Sequence, residues 1–450
     1  MSAAIREHPS VVAYMERVCF EVKAAEVHEE IRLEMVSHLE DIVEEKMEKE
    51  GMAEEEAIAC ALRQMGDPVA AGRGLHAVHR PKPEWGVMAL LAGMIIMAVL
   101  AVYVVNLTRG ERYEGVWIRQ MVCGLAGLAC LTVFYFLDYR KLLRWSLLMH
   151  AAAVGLHLSL LWLGTTVNGW KHWIVVGAFS FKATAVTPFL FLLAIIGMMH
   201  REKDRMSNVP TPFRSVVMEA VLYVLIPVVL YAAANDMVNL TIYAIGAITV
   251  LIMASRWRTL GASMLALAVV LLLWFRQEPM RWEWLRIRLT GFISREGDSG
   301  YMTARAIEAI EQGGMWGQGL RAVYDPLPFP YSDALYAHLV YSLGWVAGSV
   351  IAVISLLFVG RCIRMGMKLK DGYARGIVVG LTVVLGTKLL WNILMCLGLL
   401  PISSIPLPIV HVSSITVVEL AAIGLMLGAY RRKDMIRKHA IADSPQSLLR

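Results

Sequence analysis

Asp333 is the carboxylate best placed to do chemistry in this sequence. It closes the one long polar interruption, residues 289–344, in an apolar run that begins near Trp85. The interruption reads Gly291-Phe292-Ile293-Ser294-Arg295-Glu296-Gly297-Asp298-Ser299-Gly300-Tyr301, then an amphipathic Ala/Ile/Glu segment, then Gly313-Gly314-Met315-Trp316-Gly317-Gln318-Gly319-Leu320. It ends Asp325-Pro326-Leu327-Pro328-Phe329-Pro330-Tyr331-Ser332-Asp333. A stretch this long inside a compact domain is functional or disordered. Its Trp, Tyr, Phe and Leu content is too high for a solvated linker, so a structured loop is expected, with Pro326, Pro328 and Pro330 stiffening the approach to Asp333. A carboxylate where a loop enters an apolar helix is partly desolvated, which raises its pKa from ~3.9 toward that of a useful general base. Ser332-Asp333 is also a good helix N-cap, and the residues themselves leave both roles open.

Other ionisable residues stand where a charge is costly. Lys182 lies just inside an apolar span, where it is either functional or snorkelling to the interface. Asp236 falls between two spans, either paired with a cation or as a solvated turn residue. Lys388 is mid-span and needs a partner or a wet cavity, and Glu419, deep in the last span, is the acid that could neutralise it. The Gly313–319 run follows no expected strand, so a nucleotide cradle is disfavoured; a tight turn in which backbone approaches backbone fits better. His338, a helical turn and a half past Asp333, is expected to pack. No His/Asp/Glu cluster has metal-ligand spacing.

The elements that must hold these residues are membrane spans. The chain has 450 residues, 57% hydrophobic and 18% charged, the composition of a polytopic membrane protein, and no nucleic acid is expected as a partner. Apolar runs cover residues 86–107, 117–137, 142–164, 181–199, 213–234, 237–254, 260–275, 334–360, 376–398 and 408–430, each near the ~20 residues that cross a bilayer. The expected fold is an all-α polytopic membrane protein of about ten transmembrane helices, with a large extracellular loop between helices 7 and 8. Alternate short loops carry Arg140, Lys141 and Arg144; Arg201, Lys203, Arg205 and Arg214; Arg256 and Arg258; and Arg361, Arg364, Lys368 and Lys370. Arg431, Arg432, Lys433, Arg437 and Lys438 follow the last span. The positive-inside rule then makes both termini cytoplasmic and puts the 289–333 loop outside a plasma membrane. Cys19, Cys60, Cys123, Cys130, Cys362 and Cys396 form no CxxC pair and read as small hydrophobes. The first apolar run begins too late for a cleavable signal peptide.

Residues 1–66 read as a small cytosolic helical domain. Ile31, Met35, Leu39 and Ile42 share one helix face, Glu50-Gly51-Met52 stops that helix, and Glu54-Glu55-Glu56 opens another with acids in its first turn. Residues 21–56 carry a net charge of roughly −10, either a solvated helical pair or a docking surface. Glu30-Ile31 through His38-Leu39-Glu40 and Gly51-Met52 through Glu56-Ala57 resemble the helical "permease prefix" module of some bacterial membrane proteins. Residues 67–85, with Gly72, Gly74, Pro81 and Pro83, are expected to be a linker, residues 86–433 the transmembrane domain, and 434–450 a cytosolic tail.

Residues 86–433 resemble the SEDS family of peptidoglycan polymerases, the FtsW/RodA/SpoVE proteins. The likeness rests on Asp138-Tyr139-Arg140; on Asn168-Gly169-Trp170-Lys171-His172-Trp173-Ile174-Val175-Val176-Gly177; on Gly300-Tyr301, Ala306-Ile307 and Gly313 to Leu320; on Pro328 to Asp333; and most specifically on Asn392-Ile393-Leu394-Met395-Cys396-Leu397-Gly398-Leu399-Leu400-Pro401-Ile402-Ser403-Ser404-Ile405-Pro406-Leu407-Pro408. This sequence departs from the pattern as well. Where the family has Gln-Pro-Ser-Glu and then a Lys, Lys182, Ala183, Thr184, Ala185 and Pro188 stand here. Asp236 keeps the acid of Gln-Pro-Asp-Leu-Gly-Thr, Tyr341-Ser342 replaces Glu-Glu, and His411 to Thr416 replaces Ser-Tyr-Gly-Gly-Ser-Ser.

The resemblance implies an inverting glycosyltransferase that polymerises lipid II in growth, division or sporulation. A sugar hydroxyl attacks an anomeric carbon whose leaving group is undecaprenyl pyrophosphate. That reaction asks for one general base and for cations at the pyrophosphate. The resemblance gives the base role to Asp333. Lys171, Lys182, Arg305 and Arg321, with Asp236 beside them, are the expected substrate-binding residues; Arg288 and Arg295 lie on the same side. A class B penicillin-binding protein is the expected partner, and the one cofactor left open is a divalent cation. The rivals are a SEDS-fold scaffold without activity, favoured by the loss of acid and base at Ala185 and Pro188, and a transporter of lipid-linked precursors, suggested by Lys388 and Glu419.

Overall fold

The structure is a computed structural model that describes residues 2–23, 28–79, 82–109, 116–167, 170–177, 179–205, 213–295 and 297–433. Asn168-Gly169, Glu296 and the tail 434–450, with Arg437 and Lys438, lie outside the described residues. The chain divides into two compact units, Met1–Pro83 with Arg431–Arg450, and Glu84–Tyr430.

Among its described residues the first unit contains five helices: α1 (Ser2–Glu7), α2 (Pro9–Glu21), α3 (His28–Glu50), α4 (Glu54–Met65) and α5 (Pro68–His79). Ile31, Leu39 and Ile42 of α3 are buried with Val11 and Val18 of α2 and Ile58 of α4. The expected linker is therefore corrected: most of it is α5, which packs along α2. Gly72 makes this possible, because a Cβ there would stand 2.6 Å from the Val18 carbonyl oxygen. Gly and Pro read as punctuation in isolation, but here Gly72 is the contact surface and Pro68 opens the helix, where its missing N–H costs nothing.

The second unit holds the spans. They are α6 (Trp85–Arg109), α7 (Val116–Phe136), then, after a short α8 (Arg140–Arg144), α9 (Ser146–Leu163), α10 (Ala183–Arg205), α11 (Phe213–Ala220) running through a π-helical turn (Val221–Leu225) into α12 (Ile226–Ala233), α13 (Met237–Met253), α14 (Trp257–Gln277), and beyond the polar interruption α17 (Leu335–Met367), α18 (Gly372–Cys396) and α19 (Ser414–Arg431). Among the described residues nine helices are long and apolar enough to cross a membrane, and α13 is a shorter apolar one. The chain is thus a multi-pass membrane protein. In α10, α18 and α19, 72% of the apolar stretch is buried, against 11% in α7 and α14, so the first three form the centre and the other two face lipid. Gly376 and Gly380 of α18 let α10 come close, since a Cβ at either would lie under 3 Å from Ile196, the small-residue packing expected where lipid supplies no hydrophobic drive. The π-turn follows from Pro227: it has no N–H for the Tyr223 carbonyl one turn back, and the Tyr243 hydroxyl donates to that carbonyl instead.

Two features at the site's end of the bundle depart from expectation. A three-stranded antiparallel sheet, β1 (Gly164–Val167), β2 (Trp170–Val176) and β3 (Phe179–Lys182), lies between α9 and α10, with Ile174 packed on Leu160 and Ala183. Asn168-Gly169 between β1 and β2 is a strong hairpin signal in sequence. The first half of the polar interruption is helical rather than a loop, formed by the end of α15 (Pro279–Ser294) and by α16 (Gly297–Gly313), and residues 314–334 are turns and irregular chain.

The glycine run after α16 does bring backbone against backbone. Gln318 N donates to Tyr341 O (2.9 Å), Gly319 N to Ser342 O (3.1 Å) and Trp345 N to Gly314 O (2.9 Å). Those groups of α17 are free because the helix breaks at Gly344, which takes φ 84° and ψ 172°. The glycine run thus completes the hydrogen bonding that the kink interrupts.

Candidate functional site

Asp333 sits on a tight turn at the head of α17. Ser332 N and Ala334 N both donate to Phe329 O (3.1 and 3.2 Å), and Phe329 takes φ 51°. The N-cap position of α17 is Ala334, without a side-chain bond, so the capping reading of Ser332-Asp333 is corrected: the turn closes on backbone groups and the carboxylate is left for other work. Oδ1 of Asp333 accepts from Ser332 Oγ at 3.1 Å. Its main-chain carbonyl accepts from Asn392 Nδ2 (3.0 Å) and from Cys396 Sγ (3.7 Å), both on α18. Burial pushes the carboxyl above its ordinary pKa, against the pull of the Ser332 bond, the Lys182 charge and Ser404.

Lys182 ends β3, held in register opposite Trp173. It therefore precedes the span that starts at Ala183 rather than lying inside it, as the hydropathy had suggested. Its Nζ is 3.8 Å from Asp236 Oδ2, and its charge also reaches Asp333. Asp236 is 3% exposed, not a solvated turn residue. It caps α13 by accepting from Asn239 N (3.1 Å) and Asn239 Nδ2 (2.8 Å), takes a further bond from Thr184 Oγ1 (2.6 Å), and has His172 Nδ1 at 4.0 Å. Burial alone would raise its pKa; the charges of Lys182 and His172 and the bonds from Thr184 and Asn239 outweigh it and hold the group at about 2. Deeper in the bundle Lys388 Nζ meets Glu419 Oε1 at 3.5 Å, as the sequence suggested, and lies 5.0 Å from the centre of the Phe189 ring. The other Glu419 oxygen accepts from Ile409 N at 3.0 Å.

The fold thus gathers Asp333, Lys182 and Asp236. The other expected substrate-binding residues stand outside this group. Lys171 is exposed on β2 and Arg321 is exposed after the glycine run. Arg305 pairs with Glu308 on its own helix and stacks over Tyr301. Arg288, half-buried on α15, donates to Ile402 O at 2.5 Å. Among the described residues no group of three or more His, Cys, Asp or Glu side chains converges as a metal cage would. Sequence reasoning gave no role to His172, Thr184, Asn239, Asn392 or Ser404. Asn239, three residues after Asp236, was legible as a helix-start pair; the others are joined to the site by long-range packing and leave no local signal. Chemically, the arrangement offers a carboxylate with a raised proton affinity, within reach of the charge of a lysine that a second, firmly ionised carboxylate holds in place.

Comparison with known proteins gives concordant matches. The family model for FtsW, RodA and SpoVE, described as "Cell cycle protein", matches residues 84–434. A probable peptidoglycan glycosyltransferase FtsW of Geobacter sp. (strain M18) is 25% identical over 328 residues, 70% of this chain and 86% of the relative. Stage V sporulation protein E of Bacillus subtilis (strain 168) is 27% identical over 325 residues, again 70% and 86%. Among solved structures, a chain of a peptidoglycan synthase complex, described for its structural coordination of polymerization and crosslinking, superposes with TM-score 0.63 at 20% identity, over 78% of this chain and 98% of that one. The rod shape determining protein RodA of Thermus thermophilus gives TM-score 0.55 at 19% identity, over 78% and 97%.

Proposed function

This chain belongs to the FtsW/RodA/SpoVE family, and from that premise we propose that it is a peptidoglycan glycosyltransferase with Asp333 as its general base. Lipid II serves as both donor and acceptor. The acceptor sugar hydroxyl attacks the anomeric carbon of the donor, the bond to the undecaprenyl pyrophosphate breaks, and Asp333 takes the hydroxyl proton. A single displacement inverts the anomeric centre. Lys182 offsets negative charge that develops on the pyrophosphate, while Asp236 orients the ammonium. Both termini are cytoplasmic on this reading, the site faces outward, residues 1–83 form an accessory cytosolic domain, and a class B penicillin-binding protein is the partner.

The observation that carries the reading is the Asp333 carboxylate itself. It is not spent on capping α17, burial raises its affinity for a proton, and its main chain is anchored to α18. The test uses the purified full chain, with and without a candidate class B penicillin-binding protein, incubated with labelled lipid II and scored for glycan chains. Asp333→Asn should lower the rate by about 10²–10⁴ while thermal unfolding in detergent moves by no more than about 1 kcal/mol. An Asn variant that still polymerises would move the chemistry elsewhere, with Asp236 next in line. A wild-type protein that makes no glycan with any partner, yet is needed in cells, would favour the scaffold reading.

A further inference from the structure

We propose that Asn392 is a positioning residue for this reaction, its side-chain amide tying the Asp333 main chain to residues 401–413 and thereby setting where the Asp333 carboxylate points. The inference rests on Asp333 being the base. Asn392 is fully buried on α18. Its Nδ2 donates to two main-chain carbonyls, Asp333 O at 3.0 Å and Ile405 O at 2.7 Å. Two carbonyls can only accept, so the amide has one possible orientation here; a flipped side chain would set oxygen against oxygen. That orientation leaves Oδ1 buried without a partner. An apolar core position would not carry an orphaned acceptor, and a clamp between two chain segments accounts for it.

The neighbouring contacts follow the same logic. Lys388, Asn392 and Cys396 recur at every fourth position and so line one face of α18. Cys396 gives the Asp333 carbonyl its second donor. Lys388 pairs with Glu419, which holds Ile409 N. Ile409 takes φ 67°, a conformation a β-branched residue adopts only under constraint. Ser404, one residue from the clamped Ile405, is among the groups that draw the Asp333 carboxyl back toward its ordinary pKa. The segment therefore meets the base twice, held to its carbonyl through Asn392 and, at Ser404, close enough to its carboxyl to act on its proton affinity.

The test compares wild type, Asn392→Ala, Asp333→Asn and the double variant in lipid II polymerisation across pH. Asn392→Ala should lower kcat about 10–100-fold with KM within about twofold, because a misaimed base weakens the chemical step rather than binding. Freed from its clamp, Asp333 turns toward water. The groups that face it, Lys182 from β3 and Cys396 from α18, remain, so the acid limb of the kcat profile should move to lower pH. In the Asp333→Asn background, Asn392→Ala should cost nothing further. If it costs as much there as in wild type, or leaves the acid limb in place, Asn392 acts elsewhere. If Asp333→Asn is itself fully active, the base assignment fails and the clamp has nothing to position. Should Asn392→Ala not fold, Asn392→Ser keeps one donor and a smaller gap; a partial kcat loss with the same pH displacement supports the clamp, and an unmoved limb overturns it.

Discussion

The Lys182 ammonium lies 3.8 Å from Asp236, on a strand end and a helix cap that only the folded bundle brings together. Removing the acid's charge leaves the cation with Asp333 alone. Asp236→Asn should therefore cost about 3 kcal/mol, the usual penalty for breaking a buried pair by one partner, and should lower polymerisation by displacing Lys182. Calorimetry in detergent that showed an unchanged unfolding temperature would remove the pair from the account. The pH dependence has a definite sign. The folded pKa of Asp236, about 2, lies below its ordinary 3.8, so its stabilisation is fully present above the unfolded value and fades as pH falls from about 4 toward 2. The contribution is on the order of 2 kcal/mol, and an Asp236→Asn protein should lack that acid-sensitive portion.

Lys388 and Glu419 form a second pair, isolated from water in the spans. Lys388→Met or Glu419→Gln alone should destabilise by about 3–5 kcal/mol, because each leaves a lone charge in the interior. Together they should cost at least ~2 kcal/mol less than their sum. Additive costs in a double-mutant cycle would mean that the two groups do not support one another.

The glycines of the kink are not equivalent. At Gly344 a Cβ would lie 2.2 Å from Met315 O, on a backbone at φ 84°. At Gly314, φ is 57° and nothing stands within 4 Å. Gly314→Ala should cost about 1–2 kcal/mol from the left-handed backbone alone. Gly344→Ala adds a backbone collision and should cost more than ~3 kcal/mol. Equal unfolding temperatures for the two variants would contradict the pairing of the glycine run with α17.

Orientation can be tested in intact cells. Cysteine at Asp298 should react with an impermeant thiol reagent added outside, and cysteine at Lys368 should not, given the basic residues in the latter's loop. The opposite pattern would turn the site toward the cytoplasm and end the lipid II reading.

Much of the architecture was legible because its causes are local. Span number and position follow from runs of apolar residues matched to bilayer thickness, and every expected span corresponds to a helix or a helix pair. The ladder of α3, with Ile31, Leu39 and Ile42 inward, follows from helical period. Asp333 stood out as a candidate because a carboxylate at the edge of an apolar helix is costly unless used.

Packing decided the rest. The residues 67–85 read as a linker until Gly72 is seen touching Val18. Ser332-Asp333 reads as a helix cap until the turn is found to close on Phe329 O, with Ala334 in the capping position. Lys171, Lys182, Arg305 and Arg321 are interchangeable cations in sequence, yet Lys182 alone among them is brought to Asp236 and Asp333. Apolar length and period act within a few turns of chain and can be read directly. Which buried charge meets which, and which amide holds the Asp333 main chain, depends on contacts between α10, α13, α17 and α18. Their partners are dozens of residues apart, and only the packed bundle selects them.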